Sequence, residues 1–494
     1  MDHEQSGSAH TTGVVDVLVV GCGFAGLCMG VRLKETGQKS FMIIEEGADV
    51  GGTWRDNHYP GCACDVPSHL YSLSFASKSD WSRLYPSQPE LFAYLRDVAD
   101  RYGLRPHISF NTAMERAEWS EADGCWQVTT ADGKVVTAKV LVSGVGALHV
   151  PAYPSVPGLD KFQGLMFHSA NWPRDCDLRG KRVAVVGAGA SAIQFVPKVA
   201  EEAERLYVIQ RTPPWIFPKR DRAIGNLERA LLRYLPGYRR AFRKWLHWRH
   251  ELRMVALGND WLLRFFENRA RRQVARHIAD PVLRKAVTPN YRMGCKRILL
   301  SDDYYQALVR PNVNVVTERI TAILPQAVVT ADGLERPIDA LIFGTGFDFI
   351  DSLRNLPVTG RNGIALQTAW QSAIGAYHGI TVTGFPNFFM LLGPNTFLGH
   401  NSVIMMIEAQ AGYVIDCLKQ MQENGLRVMD VRPEAQLRFD RWLQSRLKGS
   451  VWQAGGCRSW YQDDAGRNVA LWPGFIANYR RGIRRMSLSD YNVV

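Results

Sequence analysis

The sequence lacks the marks of a metal-binding or disulfide-rich protein. Its nine cysteines are scattered, and only Cys62 and Cys64 lie close together. No CxxC pair and no Cys/His grouping has the spacing of a zinc site, and no low-complexity tract or solenoid repeat interrupts the chain. We therefore expect no metal site, and we expect the cysteines to be free thiols in a reducing compartment.

The sequence also lacks a membrane span and an export signal. The most apolar run, VLVVGCGFAGLCMGV from Val17, is too short to cross a bilayer and is rich in glycine. The N-terminal segment is polar and carries Asp2 and Glu4 where a secretory signal has basic and then apolar residues. We expect a soluble, cytoplasmic protein.

The charge of the chain is unevenly placed. The 494 residues are 46% hydrophobic and 21% charged, which is typical of a globular protein, and they suffice for two or three domains. The formal net charge is +12, yet residues 219–297 alone hold 21 Lys and Arg against 6 Asp and Glu. The rest of the chain is close to balance, so one segment carries the basic character.

A predicted strand, VVDVLVV, leads directly into a glycine-rich turn and a predicted helix. The turn is a GxGxxG motif with its glycines at Gly21, Gly23 and Gly26. In this context the motif binds a dinucleotide, because the glycines let a pyrophosphate approach the helix N-terminus. Glu45 ends the next predicted strand, where an acid can accept hydrogen bonds from ribose hydroxyls.

The same pattern recurs in KRVAVVGAGASA, where Gly187, Gly189 and Ala192 open another predicted helix. An offset of 166 residues superposes the two motifs and carries Glu45 onto Arg211. An anion at one ribose and a cation at the other is the contrast expected between a free 2′-hydroxyl and a 2′-phosphate. We assign FAD to the first site and NADPH to the second, which implies electron transfer between the cofactors.

The stretch FQGLMFHSANWP carries a third motif. Its defining positions are Phe162, Gly164, His168, Trp172 and Pro173. They match FxGxxxHxxxWP, the fingerprint of the Baeyer–Villiger monooxygenases, flavoproteins that insert one atom of dioxygen beside a ketone carbonyl. The related N- and S-oxygenating flavoenzymes have a similar string that usually lacks the Trp-Pro ending, so the ending favours ketone oxidation.

Other segments extend this resemblance over nearly the whole chain. A Gly-Gly-x-Trp signature with a following aromatic-Pro-Gly and Asp is matched by Gly51, Gly52, Trp54, Tyr59, Pro60, Gly61 and Asp65. Similar segments are SQPE at Ser87, MGCKR at Met293, LIFGTGFD at Leu341 and GFPNFFMLLGPN at Gly384. RDNH at residues 55–58 and NTFLGHNS from Asn395 depart from the better-known members. We expect both departures near the active site, so substrate preference cannot be carried over.

The resemblance and the two nucleotide motifs predict an α/β protein with two Rossmann-like dinucleotide-binding domains and a helical insert. The FAD-binding domain is expected to be discontinuous, with residues 1–148 and 377–494. The NADPH-binding domain is expected to comprise residues 149–221 and 291–376, and the insert residues 222–290.

The predicted insert is basic and has an apolar periodicity. Its apolar residues at helical spacing are Phe242, Trp245, Leu246, Leu252 and Val255. We expect the apolar faces to pack on the core and the basic face to be solvated. Contact with a membrane surface is an alternative that we do not favour, and we do not expect nucleic-acid binding.

The resemblance also implies the chemistry. NADPH reduces FAD, dioxygen adds to give a C4a-peroxyflavin, and attack on a ketone yields an ester or lactone. Arg297 matches the family's active-site arginine, and Asp65 matches the acid that partners it. A guanidinium stays charged in a dry pocket and a carboxylate would hold it in place. Without the resemblance, Lys296 and Arg297 would be interpreted as two adjacent basic residues on the protein surface. The resemblance to the family favours an active-site role for Arg297 instead.

Cofactor contacts follow from motif position. The FAD contacts implied are Gly21, Gly23, Gly26, Glu45, Thr53, Trp54, Asp65, Tyr71 and, through its main chain, Met114. The NADPH contacts implied are Gly187, Gly189 and Ala192 in the turn, with Arg211, Thr212 and Lys296 around the 2′-phosphate. Trp54 and Tyr71 could equally be core aromatics, and Arg211 alone could be an exposed arginine at a strand end.

Two aromatic residues have competing interpretations. Trp460 matches a loop tryptophan that closes over the nicotinamide in relatives, although a plain packing role is as consistent with its sequence context. His168 lies at the centre of the fingerprint. We favour a linker or hydrogen-bonding role for it over general-base catalysis.

The predicted function is therefore an FAD- and NADPH-dependent Baeyer–Villiger monooxygenase that acts on a small-molecule ketone with O2. One alternative is an N- or S-oxygenating flavin monooxygenase, which would turn over amines or sulfides instead. Another is a non-catalytic redox sensor that binds both cofactors. The presence of Arg297 and Asp65 argues against the sensor.

Overall fold

The computed structural model describes residues 11–494, so the predictions that rest on Asp2 and Glu4 lie outside the described residues. The strands are β1 Thr11–Val20, β2 Phe41–Ile44, β3 Ile108–Ser109, β4 Met114–Ser120, β5 Cys125–Thr130, β6 Val135–Ser143, β7 Leu165–His168, β8 Arg182–Val186, β9 Arg205–Ile209, β10 Ile216–Phe217, β11 Leu299–Leu300, β12 Val313–Val316, β13 Ile320–Leu324, β14 Ala327–Thr330, β15 Glu335–Pro337, β16 Ala340–Phe343, β17 Val358–Thr359, β18 Phe388–Met390, β19 Met429–Val431 and β20 Tyr491–Val493. The α-helices are α1 Phe24–Glu35, α2 Thr53–Asp56, α3 Gln88–Arg101, α4 Ala192–Glu202, α5 Asn226–Tyr234, α6 Tyr238–Leu257, α7 Asp260–His277, α8 Pro281–Ala286, α9 Tyr304–Leu308, α10 Phe349–Arg354, α11 Leu366–Ala369, α12 Ile404–Glu423, α13 Pro433–Leu447, α14 Val451–Ala454 and α15 Ile476–Gly482.

The first sheet has the strand order β17-β4-β5-β6-β1-β2-β3, and β18 also pairs with β6. Strand β1 runs parallel to β2 on one side and to β6 on the other. Its residues Val17, Leu18 and Val19 are fully buried, because a parallel strand in the middle of a sheet is covered on both faces. This burial explains the continuous apolar run in the sequence. Helix α1 follows β1 directly and packs against α12.

The second sheet has the strand order β12-β9-β8-β16-β7, and all of its pairings are parallel. Strand β8 leads through the second glycine turn into α4, as β1 leads into α1. The fingerprint segment supplies β7 at the edge of this sheet, where His168 pairs with Phe343. The first sheet is mixed, because β5 runs antiparallel to β4 and β6, while the second is wholly parallel. In each, a parallel strand leads through a glycine turn into a helix, which confirms the predicted α/β fold with two Rossmann-like domains.

One predicted domain boundary is wrong. Strand β17 pairs with β4 through Val358 and Ala117, so it belongs to the first sheet. The chain has therefore returned to the flavin-side sheet well before the crossing predicted at Tyr377. A strand of two residues is too short to show an alternation of apolar and polar residues in the sequence. Only its pairing with the distant strand β4 shows that it belongs to the first sheet.

The helical insert is built from α5, α6, α7 and α8, and a short ladder closes it. Strand β10 before the insert pairs with β11 after it, through Ile216 with Leu299 and Phe217 with Leu300. The insert thus leaves and rejoins the second domain at one place. None of the helices within residues 11–494 is long and apolar enough to span a bilayer.

The expected packing of the insert is wrong for most of its apolar positions. Leu246 is buried and Phe242 is half-buried, but Trp245, Leu252 and Val255 are exposed. The inward face of α6 carries polar groups instead, including His250 and Glu251. The periodicity therefore identified a helix correctly, but three of the five apolar positions face outward.

The expectation of free thiols is wrong for two cysteines. Cys295 and Cys457 form a disulfide between segments 162 residues apart, with their Cα atoms 6.1 Å from each other. The other seven cysteines are free. Sequence spacing carries no information on such a distant pair, because only the folded loops bring the two side chains together.

Candidate active site

The first glycine turn shapes one end of a cavity of about 380 Å³. Gly21 has a φ of +94°, and a Cβ there would lie 2.7 Å from the carbonyl oxygen of Gly144. At Gly23 a Cβ would have no atom closer than 3.9 Å, so its main chain faces open space. Helix α1 begins here without an acidic residue in its first turn. These features fit the pyrophosphate of a dinucleotide.

Gly26 has a different role from its neighbours in the motif. It does not line the cavity, and a Cβ at this position would lie 1.8 Å from the carbonyl oxygen of Gly21. Gly26 therefore allows α1 to pack tightly on the turn, and the predicted direct cofactor contact is not supported.

Glu45 is held at the edge of the same cavity. Its Oε2 accepts from the backbone N of Cys22 at 2.7 Å, and its Oε1 accepts from the backbone N of Gly47 at 2.9 Å and from Arg55 Nη1 at 2.6 Å. A carboxylate has about four acceptor sites, so one remains on Oε2. That remaining site fits a ribose hydroxyl.

Arg55 is placed by this contact, and it lines the cavity together with Asp56. Its guanidinium also donates to the carbonyl oxygen of Asp49 at 2.6 Å and to Asp56 Oδ1 at 2.6 Å. Arg55 therefore belongs to the Glu45 end of the cavity.

The remaining flavin contacts implied by motif position line the cavity, with one exception. Thr53, Trp54, Tyr71 and Met114 are all cavity residues. Trp54 and Tyr71 pack edge to face with ring centroids 5.7 Å apart, so they are both core aromatics and part of the wall. Asp65 does not line this cavity.

The second glycine turn repeats the geometry of the first. Gly187 has a φ of +110°, and a Cβ there would lie 2.4 Å from the carbonyl oxygen of Gly344. At Gly189 the nearest atom to a Cβ would be the same oxygen, at 3.7 Å. Ala192 is buried at the start of α4, which has no acidic residue in its first turn. The turn fits a second pyrophosphate.

Two cations lie beside this second turn. Arg211 and Thr212 are exposed just past the end of β9, and Lys296 is half-buried over the ring of Tyr291 at 5.5 Å. No carboxylate of the described residues lies within 4.0 Å of either cation. Burial and the nearby charge of Arg211 lower the pKa of Lys296. Two cations without an acidic partner fit a 2′-phosphate.

Arg297 and Asp65 form a fork-like ion pair. Arg297 Nη2 donates to Asp65 Oδ2 at 2.7 Å and to Oδ1 at 2.9 Å, while Nε donates to Oδ2 at 3.0 Å. Arg297 Nη1 faces the carbonyl oxygen of Leu398 at 3.5 Å, so the NTFLGHNS loop lies beside this arginine. Strand β11 begins two residues later and fixes the segment from which Arg297 projects.

The pair is charged and close to the flavin-side cavity. Burial would raise the pKa of Asp65, but the charge of Arg297 and its hydrogen bonds outweigh burial and lower it. Asp65 in turn raises the pKa of Arg297. The cavity residue Tyr71 donates its backbone N–H to the carbonyl oxygen of Pro67, two residues after Asp65, at 2.9 Å. Burial raises the pKa of Tyr71.

Comparison with known proteins decides the family. The profile of the pyridine nucleotide-disulphide oxidoreductase family matches residues 18–225. A protein of Streptomyces coelicolor named Baeyer-Villiger monooxygenase is 46% identical over 484 residues, which cover 97% of this chain and 93% of that protein. One of Pseudomonas aeruginosa with the same name is 45% identical over 479 residues, covering 97% and 91%. The chain belongs to the Baeyer–Villiger monooxygenases.

Solved structures of the family have the same fold. The closed crystal structure of cyclohexanone monooxygenase superposes with a TM-score of 0.88 at 29% identity, covering 99% of this chain and 100% of that one. The structure of the OTEMO complex with FAD and NADP also gives 0.88, at 27% identity, covering 97% and 99%. The predicted family, fold and NADPH-dependent flavoprotein monooxygenase activity of the Baeyer–Villiger type, with FAD and NADPH as cofactors, are confirmed.

The Baeyer–Villiger fingerprint joins the two domains. Trp172 is buried against Phe167 and Phe195, and its carbonyl oxygen accepts from Nε2 of His58 in the flavin-side motif at 2.8 Å. A Cβ at Gly164 would lie 2.4 Å from the carbonyl oxygen of Asp339, which explains the glycine. Phe162 is half-buried in the core of the second domain, and Pro173 follows Trp172 at the exit of the motif.

His168 is a structural residue in this monooxygenase. It is fully buried, and its Nδ1 accepts from the backbone N of Ala170, which caps the short 3₁₀ turn Ser169–Asn171. Burial lowers its pKa, which favours the neutral imidazole. This geometry agrees with the hydrogen-bonding role that we favoured over general-base catalysis.

Trp460 lies in a loop that is tethered to the active-site segment. Its ring packs against Phe349 at 5.2 Å and Phe397 at 6.1 Å, and 36% of it is exposed. Cys457, three residues earlier, carries the disulfide to Cys295, which lies two residues before Arg297. The packing and lid interpretations of Trp460 are thus compatible, because the loop rests on the core and borders the site.

Gln194 is a site residue that the sequence did not reveal. It follows the second glycine turn on α4 and clamps the loop that leads to Asp65. Its Oε1 accepts from Tyr59 Oη at 3.1 Å, and its Nε2 donates to the carbonyl oxygen of Ala63 at 2.9 Å. A lone glutamine on a helix gives no signal, although its position two residues after Ala192 could have drawn attention.

Glu251 is a second residue that sequence reasoning missed. This fully buried acid of the insert accepts from Asn401 Nδ2 at 2.7 Å, from His400 Nε2 at 3.2 Å and from the backbone N of Ile476 at 2.9 Å. Burial would raise its pKa, but the hydrogen bonds lower it overall. Glu251 thereby fixes the loop that contacts Arg297 through Leu398.

Proposed function

We propose that this Baeyer–Villiger monooxygenase converts a ketone into an ester or lactone with O2 as the oxidant. The observation that carries the proposal is the ion pair of Arg297 with Asp65, whose loop is hydrogen-bonded to Tyr71 in the wall of the cavity that fits FAD. Oxygen insertion beside a carbonyl builds negative charge on oxygen, and a fixed cation in a site shut off from water stabilises such charge.

FAD held in the cavity that Glu45, Trp54 and Tyr71 line would supply hydride acceptance from NADPH and activation of dioxygen. Arg297 then places its guanidinium beside the oxygen that becomes negative as the ketone is attacked. Asp65 holds the fork of Arg297 in one orientation and keeps the cation paired before the substrate arrives. Asp65 needs no proton transfer in this role, since the lowered pKa keeps it ionised.

Arg211 and Lys296 select NADPH by binding the 2′-phosphate. Both are free of carboxylates within the part of the chain that the structure describes, so a phosphate would be their first anionic partner. Thr212 adds a hydroxyl donor next to Arg211. Glu45 offers its remaining acceptor site to the ribose of FAD.

The loop around Trp460 keeps water away from the reaction. Its ring and those of Phe349 and Phe397 form an aromatic cluster beside the segment that contacts Arg297. A closed, dry site limits side reactions that involve water. The cytoplasmic location expected from the sequence stays a prediction.

The proposal is tested with the purified, FAD-loaded protein and a panel of linear, cyclic and aryl ketones. NADPH oxidation and oxygen uptake are followed, and products are identified by mass. We expect at least one ketone to stimulate both signals and to gain a single oxygen atom. Matched sulfides and amines form the control panel. Oxidation of a sulfide or an amine without any ketone gaining oxygen would support the N- or S-oxygenating alternative instead.

A further inference from the structure

Helix α6 carries a stripe of apolar residues on its outward face. The stripe consists of Trp245, Trp248, Leu252 and Val255, whose exposed fractions are 54%, 48%, 64% and 47%. At about 100° per residue these four positions fall within an arc of roughly 80° on the helix. A surface helix of a globular protein normally turns such a stripe toward the core. The reversed orientation indicates that something outside the chain covers it.

Cations border the stripe on both edges. Arg240 and Lys244 lie along one edge, and Arg249 lies along the other, where its guanidinium sits 4.9 Å from the ring centroid of Trp245. All three are exposed, and no carboxylate of the described residues lies within 4.0 Å of them. The outward face of α6 is therefore amphipathic, with an apolar centre and a cationic rim.

The start of α7, after a two-residue turn, also exposes aromatic side chains. Trp261 and Phe265 stack on each other with ring centroids 6.4 Å apart, and their exposed fractions are 72% and 52%. Both lie within thirteen residues of Leu252 in the chain. Exposed aromatic rings thus occur on both sides of the turn at Gly258 and Asn259.

The acidic residues of the insert do not neutralise the positive charge of its exposed Lys and Arg side chains. Residues 226–277 contain 13 Lys and Arg against 4 Asp and Glu. Glu228 pairs with Arg222, and Asp260 pairs with Arg264 and Arg292. The other two acids are buried: they are Glu251 and Glu267. The insert consequently presents a net positive surface to its partner.

An anionic phospholipid surface fits this combination best. A second copy of the chain would bring two cationic rims together, and a nucleic-acid site does not need Leu252 and Val255 in the open. Helices that lie in a membrane interface combine Trp and Leu on one face with flanking Arg and Lys. We propose that the stripe on α6 and the start of α7 bind the surface of an anionic phospholipid membrane.

Helix α6 also borders the segment that carries the arginine of the proposed active site. A Cβ on Gly294, three residues before Arg297, would lie 2.6 Å from Cδ2 of Leu257 at the end of α6. Arg297 forms the ion pair with Asp65. An apolar ketone dissolved in the bilayer would have a short path to that pair. This last consequence rests on the proposed function, whereas lipid binding does not.

The test is co-sedimentation of the FAD-loaded full chain with vesicles. One set of vesicles contains phosphatidylcholine alone, and the other contains phosphatidylcholine with phosphatidylglycerol. We expect the anionic vesicles to bind at least roughly tenfold more tightly at low salt, with the difference shrinking at high salt. Protein that stays in the supernatant with anionic vesicles at low salt would overturn the proposal.

Substitutions measure the contributions of the apolar stripe and of the cationic rim to vesicle binding separately. Leu252→Ser with Val255→Ser should weaken binding to anionic vesicles by about tenfold or more. Arg240→Gln with Lys244→Gln should weaken it by about fivefold per charge. The matched control is Leu334→Ser with Leu437→Ser, two leucines outside the insert with exposed fractions of 58% and 52%, and it should bind as the wild type does.

Two results would contradict the membrane proposal. The first is equal weakening in the control and stripe variants. The second is a wild-type dimer that the stripe variant converts to a monomer without any change in lipid binding, which would assign the stripe to a second copy of the chain. Turnover of a water-soluble ketone, measured without vesicles, should be unchanged in every variant. That readout reports on the proposed function separately.

Discussion

Arg297 donates three hydrogen bonds to the carboxylate of Asp65, although the two residues lie 232 positions apart in the chain. Asp65 comes from the loop after the Trp54 motif, and Arg297 comes from the segment that returns from the helical insert. The pair therefore exists only when both domains are folded and docked. Its geometry ties the proposed oxygen insertion to the relative placement of the two nucleotide sites.

Asp65→Asn should destabilise the FAD-loaded protein at neutral pH by about 1–3 kcal/mol, because it leaves Arg297 without a charged partner. The folded-state pKa of Asp65 is lowered, so its contribution to stability is present above the unfolded value of about 3.9. The contribution is lost as the pH falls through the folded-state pKa. Urea unfolding as a function of pH should show the two proteins converging in acid.

The control for this pH series is Asp175→Asn, an exposed acid that should leave the unfolding curves unchanged. If the free energies of unfolding of wild type and Asp65→Asn differed by the same amount down to the lowest pH, the ionisation of Asp65 would not be the cause of the difference in stability.

Arg211→Ala should raise the KM for NADPH by roughly tenfold to a hundredfold, because a charge-assisted contact to the 2′-phosphate is lost. The KM for NADH should stay within about twofold of the wild-type value, since NADH has no 2′-phosphate. Steady-state kinetics with both nucleotides measure the ratio. Arg205→Ala, at the opposite end of the same strand β9, is the matched control. Equal losses with NADPH and NADH would show that Arg211 only supports the fold.

The sequence predicted correctly those features that are determined by residues close together in the chain. The two glycine turns, Glu45 and Arg211 follow from a strand, a turn and a helix at fixed spacing. The resemblance to the family predicted Asp65 as the partner of Arg297. The structure was needed to show the three hydrogen bonds between them. Gln194 and Glu251 escaped notice because each acts through loops that are distant in sequence.

The insert shows a limit of periodicity. Spacing at 3.6 residues identifies an amphipathic helix, but it does not say which face points inward. Glu251 occupies a fully buried position because His400, Asn401 and the backbone of Ile476 donate to it. That hydrogen-bonded acid turns the face with Leu252 outward, which composition alone could not predict.

Cys295→Ser and Cys457→Ser should each destabilise the protein by the same amount, since either change removes the one disulfide. Chain-entropy reasoning for a loop of this length gives an upper value of about 5 kcal/mol. Unfolding under non-reducing conditions measures the loss, and a reductant should destabilise the wild type but neither of these two variants. Cys176→Ser, at a half-buried free cysteine, is the control. Nine reactive thiols in the denatured, unreduced wild type, rather than seven, would contradict the disulfide.

The role of Arg297 is tested most directly by measuring flavin reduction and oxygen insertion separately in Arg297→Ala, with Arg297→Lys as the variant that keeps a charge. Anaerobic reduction of the flavin by NADPH should stay within a few fold of the wild-type rate, because the NADPH contacts are intact. Ester formation from a ketone that the wild type accepts should fall by roughly a hundredfold to a thousandfold in Arg297→Ala, and less in Arg297→Lys. Ester formation retained at the wild-type rate in Arg297→Ala would contradict the assignment of oxygen insertion to this arginine.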